Sequence, residues 1–137
     1  MKISLKSFLI ASWALLIGGI FHSLSDLLSP ATDERIEVMN QMKVLTSEVL
    51  GSEFNMLSFF QGFSLMMGLL TFGYGALNVL IIKSFRDNGV PHSILVFNTI
   101  ITLMCVILSI KYFFIIPIIL TAIPFIGFSI SLITKKK

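Results

Sequence analysis

The sequence predicts an all-α, polytopic membrane protein: a four-helix bundle with an amphipathic helix in its first outer loop. Three observations carry this reading. Of 137 residues, 55% are hydrophobic and only 12% charged, with a mean hydropathy of +0.95, whereas a soluble domain carries about 25% charged residues. The apolar residues gather in stretches long enough to cross a bilayer, which takes about 20 helical residues for about 30 Å of hydrocarbon. The basic residues lie between those stretches, mostly on one side. Residues 1–137 read as a single membrane domain without internal repeats or low-complexity segments.

The first span is placed at 8–28. Its opening, "MKISLKSFLIASWALLIGGIF", pairs a basic start with an apolar run, as a signal peptide does. No A-x-A-like site follows, only "SLS" at 23–25, and three further apolar spans come later, so it reads as the first membrane anchor. The second span is 56–82. The apolar stretch 93–134 is too long for one crossing at about 1.5 Å per residue, and its only charge, Lys111, lies near the middle. It divides into spans at 93–110 and 113–134 with a tight hairpin between them. Pro117 falls in the first turns of the last helix, where it costs little, and Pro124 falls inside it.

Charge sets the direction. Lys2, Lys6, Lys83, Arg86, Lys135, Lys136 and Lys137 share one side, and Arg35, Lys43 and Lys111 the other. Both termini are expected in the cytoplasm and the loop between the first two spans outside. That loop reads as an amphipathic helix over about 30–50. Ser29–Pro30 suits its start, Asp33 and Glu34 favour its dipole, Gly51 suits its stop, and Ile36, Met39, Met42, Leu45 and Val49 recur at helical spacing.

Every span carries a small or polar stripe. In the second, Gln61, Ser64, Gly68, Thr71, Gly75 and Asn78 are spaced 3, 4, 3, 4, 3, a heptad seam. The first offers Ser7, Ala11, Ala14, Gly18, His22 and Ser25; the third Asn98, Thr102, Cys105 and Ser109; the fourth Pro117, Thr121, Pro124 and Gly127. Lipid gives helices no hydrophobic reason to associate, so close approach of small residues and interhelical hydrogen bonds must do it. Gly18, Ser64, Gly68, Thr71 and Gly75 are therefore expected at helix contacts. Asn78 and Asn98, at similar depth on neighbouring spans, are expected to bond each other.

The candidate site is the polar cluster at the outer ends: His22 and Asp26, four apart on one face, with Gln61 and Glu53 at similar depth and Ser58, Lys111 and Tyr112 near the same level. It reads either as an interfacial cap holding the outer helix or as a ligand or proton site. A buried amide without partners costs about 1–3 kcal/mol, so Gln61 and His22 are expected to line one space beneath the outer helix. One cysteine, Cys105, excludes an intramolecular disulfide. The spacing of the two histidines and the cysteine suits neither zinc nor haem, and no basic patch fits nucleic acid. No metal or cofactor is expected. A drug/proton antiporter of the small four-helix type would place a carboxylate well inside its first span, whereas Asp26 and Asp87 lie near helix ends.

The stretch "LGSEFNMLSFFQGFSLMMGLLTFGYGAL" resembles an uncharacterised family of small four-span bacterial inner-membrane proteins, through Gly51, Glu53, Gly62, Phe63, Ser64, Gly68 and Gly73. The resemblance implies four spans and a bacterial inner membrane, but no activity, cofactor or catalytic residue. The leading functional expectation is a non-enzymatic membrane protein that binds a partner or small ligand, the bilayer being its constant neighbour and a membrane protein or a second copy its candidate partner. The alternatives are an enzyme acting on a lipid through a His22/Asp26 acid–base pair and a small proton-coupled transporter. The charge split makes one direct prediction: reporter fusions after Lys137 and within 33–48 report opposite sides of the membrane, and the same side for both would overturn the four-span topology.

Overall fold

The computed structural model describes residues 3–28, 30 and 32–135; the side chains of Asp26 and Leu27 lie outside the described residues, as do Ser29 and the basic residues Lys2, Lys136 and Lys137. Helix occupies 81% of the chain, so the fold is α apart from one short hairpin. In chain order the elements are α1 (Ile3–Leu28), α2 (Asp33–Val44), β1 (Thr46–Val49), β2 (Ser52–Asn55), α3 (Met56–Ser84), α4 (His92–Tyr112) and α5 (Ile115–Ile133). Four of these helices, α1, α3, α4 and α5, are long and apolar enough to cross a membrane.

The outer segment differs from the sequence expectation. Its helix is shorter, capped by Thr32, whose Oγ1 accepts from the Arg35 amide at 3.3 Å, and it ends where Leu45 turns extended (φ −74, ψ 101). The chain then forms an antiparallel hairpin in which Thr46 faces Asn55 and Val49 faces Ser52. Leu50 and Gly51 make the two-residue turn with φ of 55 and 79. Both are left-handed, as a primed hairpin turn requires, so Gly51 serves a β-turn rather than a helix stop. Asn55 then starts α3: its Oδ1 accepts from the Ser58 amide at 2.8 Å and the Ser58 hydroxyl at 3.0 Å, an N-cap. Leu45 and Val49 therefore belong to no helical stripe. Nothing on α2 is buried; Met39 and Met42 are half-buried, while Ile36, Val38 and Val44 are exposed. Its apolar residues lie on more than one side, not on a single amphipathic face.

The chain divides into two compact units, Met1–Gly18 with Thr71–Lys137, and Gly19–Leu70. In the first unit four helical segments close into a ring. Gly75 of α3 packs on α1, where an added Cβ would collide with the Leu16 amide nitrogen and come 2.8 Å from Leu16 Cα and 2.9 Å from the Ser12 carbonyl. Gly127 of α5 packs on the next face of α1, 2.8 Å from Ala11 Cβ and 3.1 Å from the Ser7 carbonyl by the same measure. Phe8 and Phe128 meet edge to face at 5.1 Å. Ser4 and Ser131 bond reciprocally, each hydroxyl donating to the other's carbonyl at 2.9 and 2.8 Å. Tyr74 joins α3 to α4 and Thr121 joins α5 to Ser109 of α4. Leu5, Phe8, Leu15, Ile82, Leu95 and Phe128 fill the centre.

The buried faces can now be set against the stripes. On α3, Gln61, Ser64, Gly68, Thr71, Gly75 and Asn78 are all buried or half-buried. On α1 the buried face runs through Leu5, Phe8, Ala11, Ser12, Leu15, Gly18 and Gly19, so Ser7 and Ala14 flank it and His22 and Ser25 are exposed. On α4 Cys105 is exposed; Leu95, Asn98, Thr102 and Ser109 are buried, and the half-buried Val106 continues the row. Phe113 and Phe114, both extended, make the α4–α5 connection, so Lys111 and Tyr112 end α4 with the Lys111 ammonium 5.0 Å from the Tyr112 ring centroid.

The glycines separate into two classes. At Gly18, Gly62 and Gly73 an added Cβ meets nothing within 4 Å, whereas at Gly75 it meets backbone that cannot step aside. Gly75→Ala is therefore expected to cost about 1–3 kcal/mol by overpacking, and Gly73→Ala to stabilise by about 1 kcal/mol through helix propensity alone. Thermal melts of both variants in detergent, followed by circular dichroism, check the opposite signs.

Candidate functional site

The second unit holds the polar residues His22, Gln61 and Ser64. Gly68 of α3 lies against α1, where an added Cβ would collide with Ser23 Oγ and come 3.1 Å from the Gly19 carbonyl. Ser23 turns inward to donate to that carbonyl at 3.1 Å. This approach brings His22 beside Ser64, with Nε2 and Oγ 3.3 Å apart. Either group donates, according to which ring nitrogen carries the proton. His22 is exposed and Ser64 half-buried. Asp26 follows His22 by one turn of α1, and its side chain lies outside the described residues.

Gln61 goes elsewhere. It is half-buried at a cleft of about 280 Å³ between α2 and the start of α3. Arg35, Val38, Met39 and Met42 supply one wall; Leu57, Phe60 and Gln61 supply the other. His22 does not line this cleft; its contact is with Ser64. Ser64, one turn past Gln61, takes the imidazole, and Gln61 is left under α2. Glu53 joins neither group: it is exposed on β2, directly opposite Glu48, a like-charge pair that weakens the hairpin. An aromatic column, Phe54 to Phe59 at 5.5 Å and Phe59 to Phe63 at 6.2 Å, runs from the hairpin onto α3. A larger depression of about 760 Å³ lies along α2, but only that helix and its cap line it, so it has no opposing wall.

The chain matches no known family, no curated protein and no solved structure. The likeness carried by Gly51, Glu53, the Gly62–Ser64 triplet, Gly68 and Gly73 therefore rests on those residues alone, and function has to be read from the chemistry of the two units.

That chemistry disfavours nucleophilic catalysis at Ser64. A Ser–His contact resembles an activated nucleophile, but acyl transfer also needs donors aimed at the developing oxyanion. Ser64 sits within the helix Met56–Ser84, where neighbouring amides are spent on helical hydrogen bonds. Among the described residues, no group of three His, Cys, Asp or Glu could hold a metal ion.

The amides of Asn78 and Asn98 form a different arrangement in the first unit. Asn78 and Asn98 are 1% and 2% exposed, yet they do not bond each other. Asn98 Nδ2 donates to the Ile94 carbonyl at 2.9 Å, and its Oδ1 accepts from the Tyr74 hydroxyl at 2.6 Å. Asn78 Nδ2 donates to the Tyr74 carbonyl at 3.0 Å, which leaves its buried Oδ1 without a donor among the described residues. Tyr74 is thus the joint between α3 and α4 that the sequence reading missed. The signal was present: Tyr74 is four residues before Asn78 on the same face, and a phenol brought among apolar helices needs an acceptor. Arg35, Met39 and Met42 carried a similar signal, since their spacing of 4 and 3 puts them on one side of α2.

Removing the phenol tests this arrangement. Tyr74→Phe strands the Asn98 carbonyl oxygen and is expected to cost about 1–3 kcal/mol, read as a lowered melting temperature. His22→Ala, at an exposed site, is expected to change stability by less than about 0.5 kcal/mol.

Proposed function

We propose that this chain is a multi-pass protein of a bacterial inner membrane, both termini in the cytoplasm, which binds a small amphiphilic ligand and carries out no chemistry on it. The observation that carries the reading is the cleft of about 280 Å³ between α2 and α3. Its size lies just below the range of about 300–1,000 Å³ usual for small-molecule sites, which suits a short ligand. Two methionine thioethers, Leu57 and Phe60 offer soft apolar walls that adapt to an irregular shape. Arg35 and Gln61 add a cation and an amide, so the matching ligand is an apolar chain or ring bearing a carboxylate or phosphate. A guanidinium presents its donors in a planar fork that fits such groups.

The four apolar helices support the membrane reading and the distribution of basic residues supports the orientation. The aromatic column Phe54–Phe59–Phe63 suits a membrane–water boundary, where aromatic rings collect. A bound ligand would tie α2 to α3 and make α2 a readout for a partner protein or a second copy.

The test uses protein in nanodiscs, with decanoate and decanol as probes. Decanoate is expected to raise the melting temperature more than decanol does, and Met42→Trp, which fills the cleft, is expected to abolish the difference. No shift with either probe, or a shift unchanged by Met42→Trp, would overturn the reading.

A further inference from the structure

We propose that the first unit binds the headgroup of an anionic phospholipid in a second cavity, formed where the start of α1, the α3–α4 loop and the end of α5 meet. The cavity measures about 710 Å³, well inside the range of small-molecule sites. It is distinct from the α2 cleft in both its residues and its chemistry.

Its wall carries a positioned cation. Lys135 Nζ donates to the Val90 carbonyl at 2.6 Å, and Val90 itself is buried. This bond holds a long, flexible side chain at the cavity instead of in open water. An ammonium has three donors, and one of them is committed here. The Asn88 amide lines the same space. The Ser4 and Thr134 hydroxyls line it too, but donate to the Ser131 and Ile130 carbonyls, so Lys135 and Asn88 are the groups left to meet a ligand. Both are donors to an acceptor-rich group such as a phosphate.

The surroundings have the same sign. Lys83 lies in the last turn of α3, Arg86 in the loop leading to Asn88, and Lys6 one residue past the lining residue Leu5; all three are exposed. Asp87 is the one acidic residue in that loop, and it does not line the cavity. The apolar part identifies a lipid rather than a free phosphate. Ile3 and Ile133 line the cavity yet are 66% and 81% exposed. A free phosphate has nothing to set against them, whereas a glycerol backbone and the first acyl carbons would continue from the cavity onto them. Four apolar helices begin or end here, at the level where headgroups lie and where basic pockets between helices hold anionic lipids. The proposal shares the membrane reading with the preceding one but not its ligand, and the two fail separately.

The experiment titrates delipidated full-length protein in neutral detergent with dioleoylphosphatidylglycerol or dioleoylphosphatidylcholine, and counts adducts by native mass spectrometry. Phosphatidylglycerol is expected to bind about fivefold more tightly, the factor for one basic side chain at an anionic surface. Lys135→Ala is expected to remove the preference, Lys135→Arg to keep it, and Lys43→Ala, in the second unit, to leave it unchanged. If Lys135→Ala does not fold, Thr134→Trp decides, since it fills the cavity and keeps every charge; loss of the preference supports the site. Equal binding of the two lipids, or a preference that survives either Lys135→Ala or Thr134→Trp, overturns the proposal. Displacement of phosphatidylglycerol by excess glycerol 3-phosphate would assign the cavity to a soluble phosphate and overturn the lipid.

Discussion

Backbone-to-backbone contact along α1 is the constraint on which the first unit depends. Gly75 seats α3 against Leu16 and Ser12, and Gly127 seats α5 against Ala11 and Ser7. Among apolar helices in lipid, burial of apolar surface favours no particular partner, so dispersion at close range has to choose. The closeness requires side chains to be missing at those two points. The large residues Phe8, Leu95 and Phe128 then fill what the close approach encloses, and the Ser4–Ser131 pair fixes the register at the end of the contact.

The polar residues of the helices add less cross-linking than their number suggests. Ser12, Ser23, Ser84, Thr99 and Thr102 each donate to the carbonyl four residues back on their own helix. Both buried asparagines do the same with their amide nitrogens. A hydroxyl bonded in this way has its proton satisfied within an apolar layer and keeps its small size, at a slight cost to the helix. Most of the stripe is thus polar in name and small in effect. Bonds that cross between helices are few: Tyr74 to Asn98, Ser4 to Ser131, Thr121 to Ser109 and Ser64 with His22.

The four long helices were legible because hydropathy over twenty residues is a strong signal; α3 and α5 lie within two residues of the expected bounds, while α1 starts five residues early. The inward face of α3 was legible because Gln61, Ser64, Gly68, Thr71, Gly75 and Asn78 keep one heptad spacing across the whole helix. On α1 the same reasoning slipped by one residue. Small residues come there as neighbours, Ala11 beside Ser12 and Gly18 beside Gly19, and only packing decides which member turns inward. Cys105 was placed on a stripe by size, but a 3.6-residue period fits Val106 as well. The hairpin was missed because Met42, Leu45 and Val49 keep helical spacing across a segment too short to test the period. The left-handed pair Leu50–Gly51 overrides that spacing. At the site, residue type pointed to His22 and Asp26, whereas shape selects Arg35, Met39, Met42 and Gln61, a grouping that depends on where α2 lies.

The bond between Ser4 and Ser131 spans 127 positions of the chain, and that separation governs biogenesis. The ring of helices cannot close until α5 has been synthesised, so until then Phe8 and Ala11 lack their partners Phe128 and Gly127. The second unit is drawn from one continuous stretch, Gly19–Leu70, and all of it is synthesised before α4 begins. A chain truncated before α5 would thus retain every residue of the second unit while leaving the α1 face that Gly127 and Phe128 cover without its partner helix.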